Sequence, residues 1–300
     1  TNQWCDILIF KQHLYCTQAG RLMKISLDGH LIWDVDLHLG SKYAVCTLAA
    51  AKQNDLIFIG VKRTVICVNC QSGDLLWKIK LENEGWGGIS LATNSTPYLC
   101  AAKDGFIYSI KYSNGEIVNH HKITLSDGKF NPTPVSLAVD PLDDSVFYAC
   151  CSSQLVALTL EDGSLLQKWS SKVKKKSNYC LPLLIHVEDN KTKGVIVSSA
   201  SHVRCFHPAT GEQLWNTSLK NSFMARGFTS MADFSETTLV SATPSHLVGI
   251  NKDTGEIEWE DKMKGWAYPT ALYLATIRHS MDWNSSPIIH AMYHSNMEAT

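Results

Sequence analysis

Short apolar runs rich in β-branched residues alternate with polar turns along the whole chain, and none keeps helical periodicity over three turns. In one repeat the pattern predicts four strands, at residues 43–51, 55–61, 64–69 and 75–81. Gly73 lies in the turn before the last strand, where a tight hairpin requires a positive φ. The same order recurs in residues 88–125, 133–169, 180–219 and 228–263. The chain is therefore predicted to be all-β.

A glycine turn followed four residues later by tryptophan marks the repeat. Residues 27–33 (LDGHLIW) return as 71–77 (QSGDLLW), 209–215 (ATGEQLW) and 253–259 (DTGEIEW). Two weaker copies keep the turn but have Asn119 and Gln167 at the tryptophan position. The turn glycines are Gly29, Gly73, Gly115, Gly163, Gly211 and Gly255, with spacings of 44, 42, 48, 48 and 44 residues. That period is typical of a four-stranded propeller blade, and the tryptophan is predicted to cover the gap to the next blade.

This repeat resembles the PQQ-like repeat of quinoprotein dehydrogenase-type β-propellers, through six copies of the turn, four of them with tryptophan in register. The resemblance implies a β-propeller of four-stranded antiparallel blades. It does not imply the quinone, because fold alone does not determine function. Seven blades are favoured, the last irregular or truncated, and six blades are the alternative. One domain, 1–300, is expected, with repeats at about 1–40, 41–84, 85–128, 129–175, 176–222, 223–264 and 265–300.

Composition and charge exclude several classes of protein. Hydrophobic residues make up 45% of the chain, which is normal for a packed core and excludes disorder as the main state. The net charge is −1, whereas a dedicated nucleic-acid binder has a basic excess. No apolar run is long enough to cross a bilayer. The chain begins Thr1-Asn2-Gln3 without a signal-peptide pattern, as expected of a processed chain or a fragment.

Cysteines and sequons bear on the compartment. Ten cysteines are too few for a disulfide scaffold, and most are interpreted as small buried hydrophobes. Four Asn-x-Ser/Thr sequons are candidate glycosylation sites: Asn94, Asn190, Asn216 and Asn284. A secretory-pathway or secreted glycoprotein is favoured, and a cytoplasmic protein is the alternative.

A ligand is expected at one mouth of the central channel, where outer strands connect to the next inner strand. An aromatic, amide or cationic residue precedes nearly every inner strand, and such a ring can stack on or hydrogen-bond a ligand. These candidates are Tyr43, Trp86, Asn131, Tyr179, Arg226, Trp266 and Tyr268. The turns between second and third strands add His202 and His246. No metal site is expected, since the histidines lack ligand spacing and Cys67-x-x-Cys70 has no second pair.

Three functions are compatible with the sequence. The favoured one is a binding propeller without a cofactor, whose partner is a protein segment or a glycan. The second is a small-molecule enzyme in the channel, with Glu84, Asp104, His202 and Arg226 as candidates.

The third function, implied by the resemblance, is a PQQ-dependent oxidoreductase with Ca²⁺. Its site would use Trp86 or Trp266, Arg226, and Asp104 or Asp127. The adjacent Cys150 and Cys151 are similar to a cysteine pair of some members of that family. Successive residues of a strand face opposite sides, however, which disfavours a bond between them.

Overall fold

The structure of the chain, a computed structural model, describes residues 7–18, 20–39, 46–51, 54–82, 88–123, 135–151, 154–173, 183–199, 202–219, 230–243 and 246–262. Within these ranges the regular structure consists of strands alone, and no helix is long and apolar enough to cross a membrane. The predicted seventh repeat, residues 265–300, lies outside the described residues.

The strands form six antiparallel sheets of four, which we call blades 1 to 6. Blade 1 has β1 (Ile7–Phe10), β2 (His13–Gln18), β3 (Arg21–Ser26) and β4 (Leu31–Asp36). Blade 2 has β5 (Cys46–Ala50), β6 (Leu56–Val61), β7 (Thr64–Asn69) and β8 (Leu75–Lys80). Blade 3 has β9 (Ser90–Thr93), β10 (Tyr98–Lys103), β11 (Phe106–Lys111) and β12 (Ile117–Lys122).

The other three blades repeat this plan with longer strands in places. Blade 4 has β13 (Val135–Val139), β14 (Val146–Cys151), β15 (Gln154–Glu161) and β16 (Ser164–Lys172). Blade 5 has β17 (Leu183–Glu188), β18 (Lys191–Ser199), β19 (His202–Phe206) and β20 (Gln213–Ser218). Blade 6 has β21 (Ser230–Asp233), β22 (Thr238–Thr243), β23 (His246–Asn251) and β24 (Ile257–Lys262).

Each blade is a meander in which strands pair in chain order. The first strand of every blade lies against the first strand of the next one, from β1 to β21. These first strands are therefore the inner ones, and β4, β8, β12, β16, β20 and β24 are the outer ones. Successive four-stranded antiparallel sheets whose first strands adjoin make a β-propeller, as the repeat predicts.

An apolar cluster fills each of the five interfaces between consecutive described blades. In the interface of blades 2 and 3, for example, the Phe58 ring centroid lies 5.9 Å from that of Trp77 and 4.9 Å from that of Tyr112. Tilted ring pairs at such distances add to the stabilisation from buried area. The core thus consists of layers between sheets, each shared by two blades.

Outer-strand tryptophans fasten four of these five layers at the rim. Trp77 lies over the turn of the next blade, where a Cβ on Gly115 would be 2.7 Å from the indole. Its Nε1 donates a 2.7 Å hydrogen bond to the carbonyl oxygen of Tyr112 in the same turn. Gly115 has φ +74°, so both the backbone conformation and the space favour glycine. The sequence prediction of a positive φ in this turn is confirmed.

The same contact, which we call the tryptophan lock, recurs at three other interfaces. Its members are Trp33 over Gly73, Trp169 over Gly211 and Trp215 over Gly255. The indole nitrogens donate to Gln71, Pro208 and Lys252 at 3.1, 2.8 and 2.9 Å. Between blades 3 and 4 the position is occupied by Asn119, and Gly163 is covered by Tyr98 and Val118 instead.

Trp169 corrects the sequence interpretation of the fourth repeat, which placed Gln167 at the tryptophan position. The hairpin of β15 and β16 is longer, and its register pairs Ala157 with Trp169, as Cys67 pairs with Trp77 in blade 2. The longer hairpin lengthens the spacing between the turn glycine and the tryptophan in the sequence, but Trp169 keeps the same position in the fold.

The locks generate a first prediction about stability. Trp77→Ala and Trp215→Ala should each lower the free energy of unfolding by about 3–5 kcal/mol, because each removes a buried indole and its hydrogen bond. Trp259 is 37% exposed, against 8% for Trp77, so Trp259→Ala should cost about 1–2 kcal/mol. Urea denaturation measures all three, and equal losses would contradict the lock.

A second prediction separates the space over the turn from its φ. Gly29 has φ +93°, and no described atom lies within 4 Å of the position that a Cβ would occupy there, whereas Gly115 lies against Trp77. Alanine at either position adopts a left-handed conformation that costs about 1–2 kcal/mol. Gly115→Ala should cost at least about 1 kcal/mol more, because the indole must also move. Similar urea midpoints for Gly29→Ala and Gly115→Ala would show that the contact between Gly115 and Trp77 contributes nothing to stability.

Candidate functional site

The predicted ligand ring belongs to one end of the blades, which we call the mouth face. Because strand direction alternates, the turns between second and third strands lie at the end where the first strands begin. Of the predicted ring, Tyr43, Trp86, Asn131, Tyr179, Arg226, Trp266 and Tyr268 lie outside the described residues. Glu84 and Asp127 lie outside them as well. These assignments remain predictions.

His202 and His246 are the two predicted ring residues that the structure describes. They occupy equivalent positions, as the first residues of β19 and β23, on neighbouring blades. Both are half-buried, and the His246 Nε2 atom lies 3.6 Å from Glu260 Oε1. The fold thus places both histidines on the mouth face.

A buried ion pair stands on the mouth face of blade 3. Lys103 ends β10 and donates a hydrogen bond through Nζ to the carboxylate of the next residue, Asp104, and both side chains are buried. Burial lowers the pKa of Lys103, Asp104 counteracts this, and the charge of Arg63 lowers it further. Asp104, a candidate base in the sequence analysis, is therefore engaged by a neighbouring cation.

Arg63 occupies the corresponding turn of blade 2. Its Nη2 donates a 2.7 Å hydrogen bond to the carbonyl oxygen of Glu82, at the end of the outer strand of the same blade. Arg63 thus ties two chain segments of its own sheet together. The sequence analysis did not single out Arg63, because this bond depends on where the outer strand ends in the fold.

The described cysteines are buried, and all of them except Cys16 belong to the apolar clusters of the blade interfaces. Burial raises the pKa of the Cys67 and Cys205 thiols to about 12 each, so neither is a thiolate at neutral pH. Cys150 packs in the interface of blades 4 and 5, and Cys151 packs in that of blades 3 and 4. The two adjacent side chains thus face opposite sides of β14.

The predicted glycosylation sites differ in access. Asn94 is 3% exposed, and its amide donates a 2.6 Å hydrogen bond to the carbonyl oxygen of Asp144 in the next blade. A glycan cannot be carried there in the folded chain, so the prediction for Asn94 is corrected. Asn190 and Asn216 are exposed, and Asn284 lies outside the described residues.

His186, Glu188 and Asp253 form a cluster that the sequence analysis did not anticipate. One ligand atom from each lies within 4.8 Å of the others, a donor set that divalent cations accept. His186 is buried and its Nε2 lies 2.9 Å from Asp253 Oδ1, while Glu188 lies 3.4 Å from Lys193 Nζ. The cluster joins blades 5 and 6 on the face opposite the mouth.

Comparable bonds join other blades on that face. The Thr192 hydroxyl of blade 5 donates to Asp140 of blade 4 at 2.8 Å, and Lys11 of blade 1 lies 2.7 Å from Asp55 of blade 2. The ammonium of Lys11 and the bonds from Gln71 and Cys70 lower the pKa of Asp55 to about 2. The His186–Asp253 contact is therefore one of a series of polar bonds between blades.

A band of exposed apolar side chains runs along the outer strands, and we call it the outer belt. In blade 2, Cys67 pairs with Trp77 and Val68 with Leu75, so Leu76 is the extra residue of a β-bulge. The bulge turns the tryptophan toward the next blade and leaves the residue before it in solvent. The outer belt comprises Leu31, Ile32, Leu75, Leu76, Ile117, Val118, Leu166, Leu214 and Ile257, which are 37–57% exposed.

Six meandering sheets joined by tryptophan locks define a β-propeller built from PQQ-type repeats. The chain belongs to the family described as outer membrane protein assembly factor BamB, which matches residues 18–196 and 199–277. The crystal structure of BamB from Moraxella catarrhalis is similar to it, with a TM-score of 0.54 and 14% sequence identity over 87% of this chain and 88% of that chain. No curated protein matches the chain.

The buried pair generates a third prediction. Asp104→Asn keeps a residue that tolerates φ +48° but leaves Lys103 without the carboxylate. It should lower the free energy of unfolding by about 3 kcal/mol, as the loss of one member of a buried pair does. The double variant Lys103→Met/Asp104→Asn should recover at least about 1 kcal/mol in urea denaturation. A double variant that is less stable than both Asp104→Asn and Lys103→Met would contradict this interpretation.

The lowered pKa of Lys103 also predicts a pH dependence. Between that lowered pKa and the ordinary value of 10.5, the unfolded chain binds more protons than the folded one at this residue. The free energy of unfolding should therefore gain a contribution from Lys103 as pH rises through this window. Lys103→Met should lack this contribution. Measuring the free energy of unfolding against pH for the wild-type protein and for Lys103→Met tests the difference.

Proposed function

We propose that this propeller is a protein-binding module and that an extended, partly apolar segment of a partner protein docks on the outer belt. The observation that carries the proposal is the outer belt itself. In five of the six described blades these side chains occupy one or both of the two positions before the outer-strand tryptophan position, and in blade 4 the register places Leu166 three residues before Trp169. Contiguous exposed apolar surface on a folded protein is typical of an interaction site.

The outer strands also offer backbone groups to a partner. Each of them is the last strand in its sheet, and within the described residues it pairs on one side only. An extended segment that adds to such an edge gains main-chain hydrogen bonds, and its alternate side chains meet the apolar residues of the edge. This chemistry favours a peptide over a sugar, which would leave the apolar side chains unmatched.

The polar groups on the mouth face support binding over catalysis. Lys103 and Asp104 are engaged with each other, and Arg63 holds a carbonyl of its own blade. The thiols of Cys67 and Cys205 are protonated at neutral pH. The family is described as an outer membrane protein assembly factor, and an assembly factor acts on other proteins.

A secretory-pathway location is a second part of the proposal. It is supported by the exposed side chains of Asn190 and Asn216, each in a sequon. Enzymatic deglycosylation of the protein from its source should lower its mass, and an unchanged mass would reject this part alone.

A displayed library of random twelve-residue peptides tests the protein-binding proposal and supplies the fourth prediction. Selected peptides should alternate apolar and polar residues, and Leu76→Asp or Leu166→Asp should weaken their binding about tenfold or more. Leu142→Asp is the matched control, since Leu142 is equally exposed but lies in a loop between β13 and β14. Isothermal titration measures the affinities.

Three results would count against the proposal. Peptides whose binding is unaffected by the outer-belt variants would move the site elsewhere. No selected peptide would reject a peptide-binding function. Binding to oligosaccharides on a glycan array, in place of peptides, would favour the lectin alternative.

A further inference from the structure

A buried arginine in blade 5 lacks a counter-charge among the described residues. Arg204 lies in the middle of β19 and is 3% exposed. Its Nη1 atom is buried without a hydrogen-bond partner, and no carboxylate of the described residues forms an ion pair with it. A guanidinium stays protonated in proteins, so the charge cannot be removed by titration. An unpaired charge in such a place is strongly unfavourable, and none of the described residues supplies the counter-charge that would stabilise it.

The surroundings of Arg204 are apolar. It faces the same side of β19 as Phe206, and it pairs with Val197 of β18. Both of these residues belong to the apolar cluster between blades 4 and 5. Burial lowers the pKa of Arg204, and no charge of the described residues opposes this effect. The guanidinium therefore lies in an interface that is otherwise built like the other four.

The six blades provide an internal comparison for this position. Arg204 pairs with Asn216, the residue after the outer-strand tryptophan. The residues at the same register in the other blades are Met23, Ile66, Tyr108, Val156 and Val248. Five of six blades thus use an apolar side chain here, so the fold itself does not require a charge. A residue that breaks the local rule without a compensating contact points to a function.

We propose that Arg204 is an anion-binding residue, whose guanidinium receives a carboxylate or phosphate group of a ligand that enters between blades 4 and 5. The planar fork of arginine matches both groups with two parallel hydrogen bonds. Asn216 lies opposite Arg204 in the register and is exposed at the rim. His202 lies two residues away on the same side of β19, toward the mouth face.

The site is separate from the outer belt, so its test can fail without affecting the proposed function. Thermal unfolding of the full chain is followed in chloride, phosphate, sulfate and acetate at equal ionic strength. Arg204→Met is compared with Arg21→Met, since Arg21 is an exposed arginine paired with Asp34 at 2.7 Å. General salt effects on stability act on all variants alike.

At an anion concentration of about ten times the dissociation constant, the anion should raise the melting temperature of the wild-type protein and of Arg21→Met by about 2 °C more than that of Arg204→Met. In chloride, Arg204→Met should be at least as stable as the wild type, because it removes an unpaired charge and restores the apolar residue of the other blades. Stabilisation by phosphate and sulfate alone would indicate a phosphate ligand, and stabilisation by acetate would indicate a carboxylate.

Arg204→Lys keeps the proposal testable if Arg204→Met fails to fold. Lysine retains the charge but not the fork, so its response to the anions should be smaller than that of the wild type. Equal anion responses in the wild type, Arg204→Met and Arg204→Lys would overturn the proposal. So would a wild-type protein that does not respond to any of the three anions.

Discussion

The contact between an outer-strand tryptophan and the glycine turn of the following blade is the interaction on which the arrangement of the sheets depends. Backbone hydrogen bonds hold each blade together, but the regular pairing of strands stops at the edge of a blade. What joins the blades is apolar packing, which has little direction of its own. The indole adds direction, because its N–H must reach one carbonyl while its face lies on one glycine.

This constraint explains features that otherwise look unrelated. The glycine needs a positive φ to form the turn and must lack a Cβ to admit the ring. The β-bulge before the tryptophan rotates the indole toward the neighbour, and the residue it displaces points to solvent. The outer belt, to which we assign partner binding, is thus a by-product of the way in which the blades are joined. In this fold a binding surface can arise without any loss of core packing.

Much of this architecture could be predicted from the sequence, because strands and turns are set by local patterns. The strand at residues 64–69 was predicted at its observed bounds, and the six turn glycines all have a positive φ. Gln167, and not Trp169, was placed at the tryptophan position because this hairpin is longer, and a fixed spacing cannot detect a change in register. Asn94 was misjudged because a sequon reports a local motif and not burial by Asp144 of the next blade. Arg204 could not be singled out for the same reason: in the sequence it is one charge among many, and only the register of six blades shows that its position is otherwise apolar.

The distribution of cysteines has a consequence for observing how the molecule opens. Each of the five interfaces contains at least one buried thiol: Cys46 and Cys70 between blades 1 and 2, Cys67 between 2 and 3, Cys100 and Cys151 between 3 and 4, Cys150 between 4 and 5, and Cys205 between 5 and 6. A thiol shielded in this way reacts with an alkylating reagent when its own interface separates. The chain therefore carries natural reporters along its length, and pulsed alkylation read by peptide mass spectrometry can order the separation of its blades without the introduction of any label.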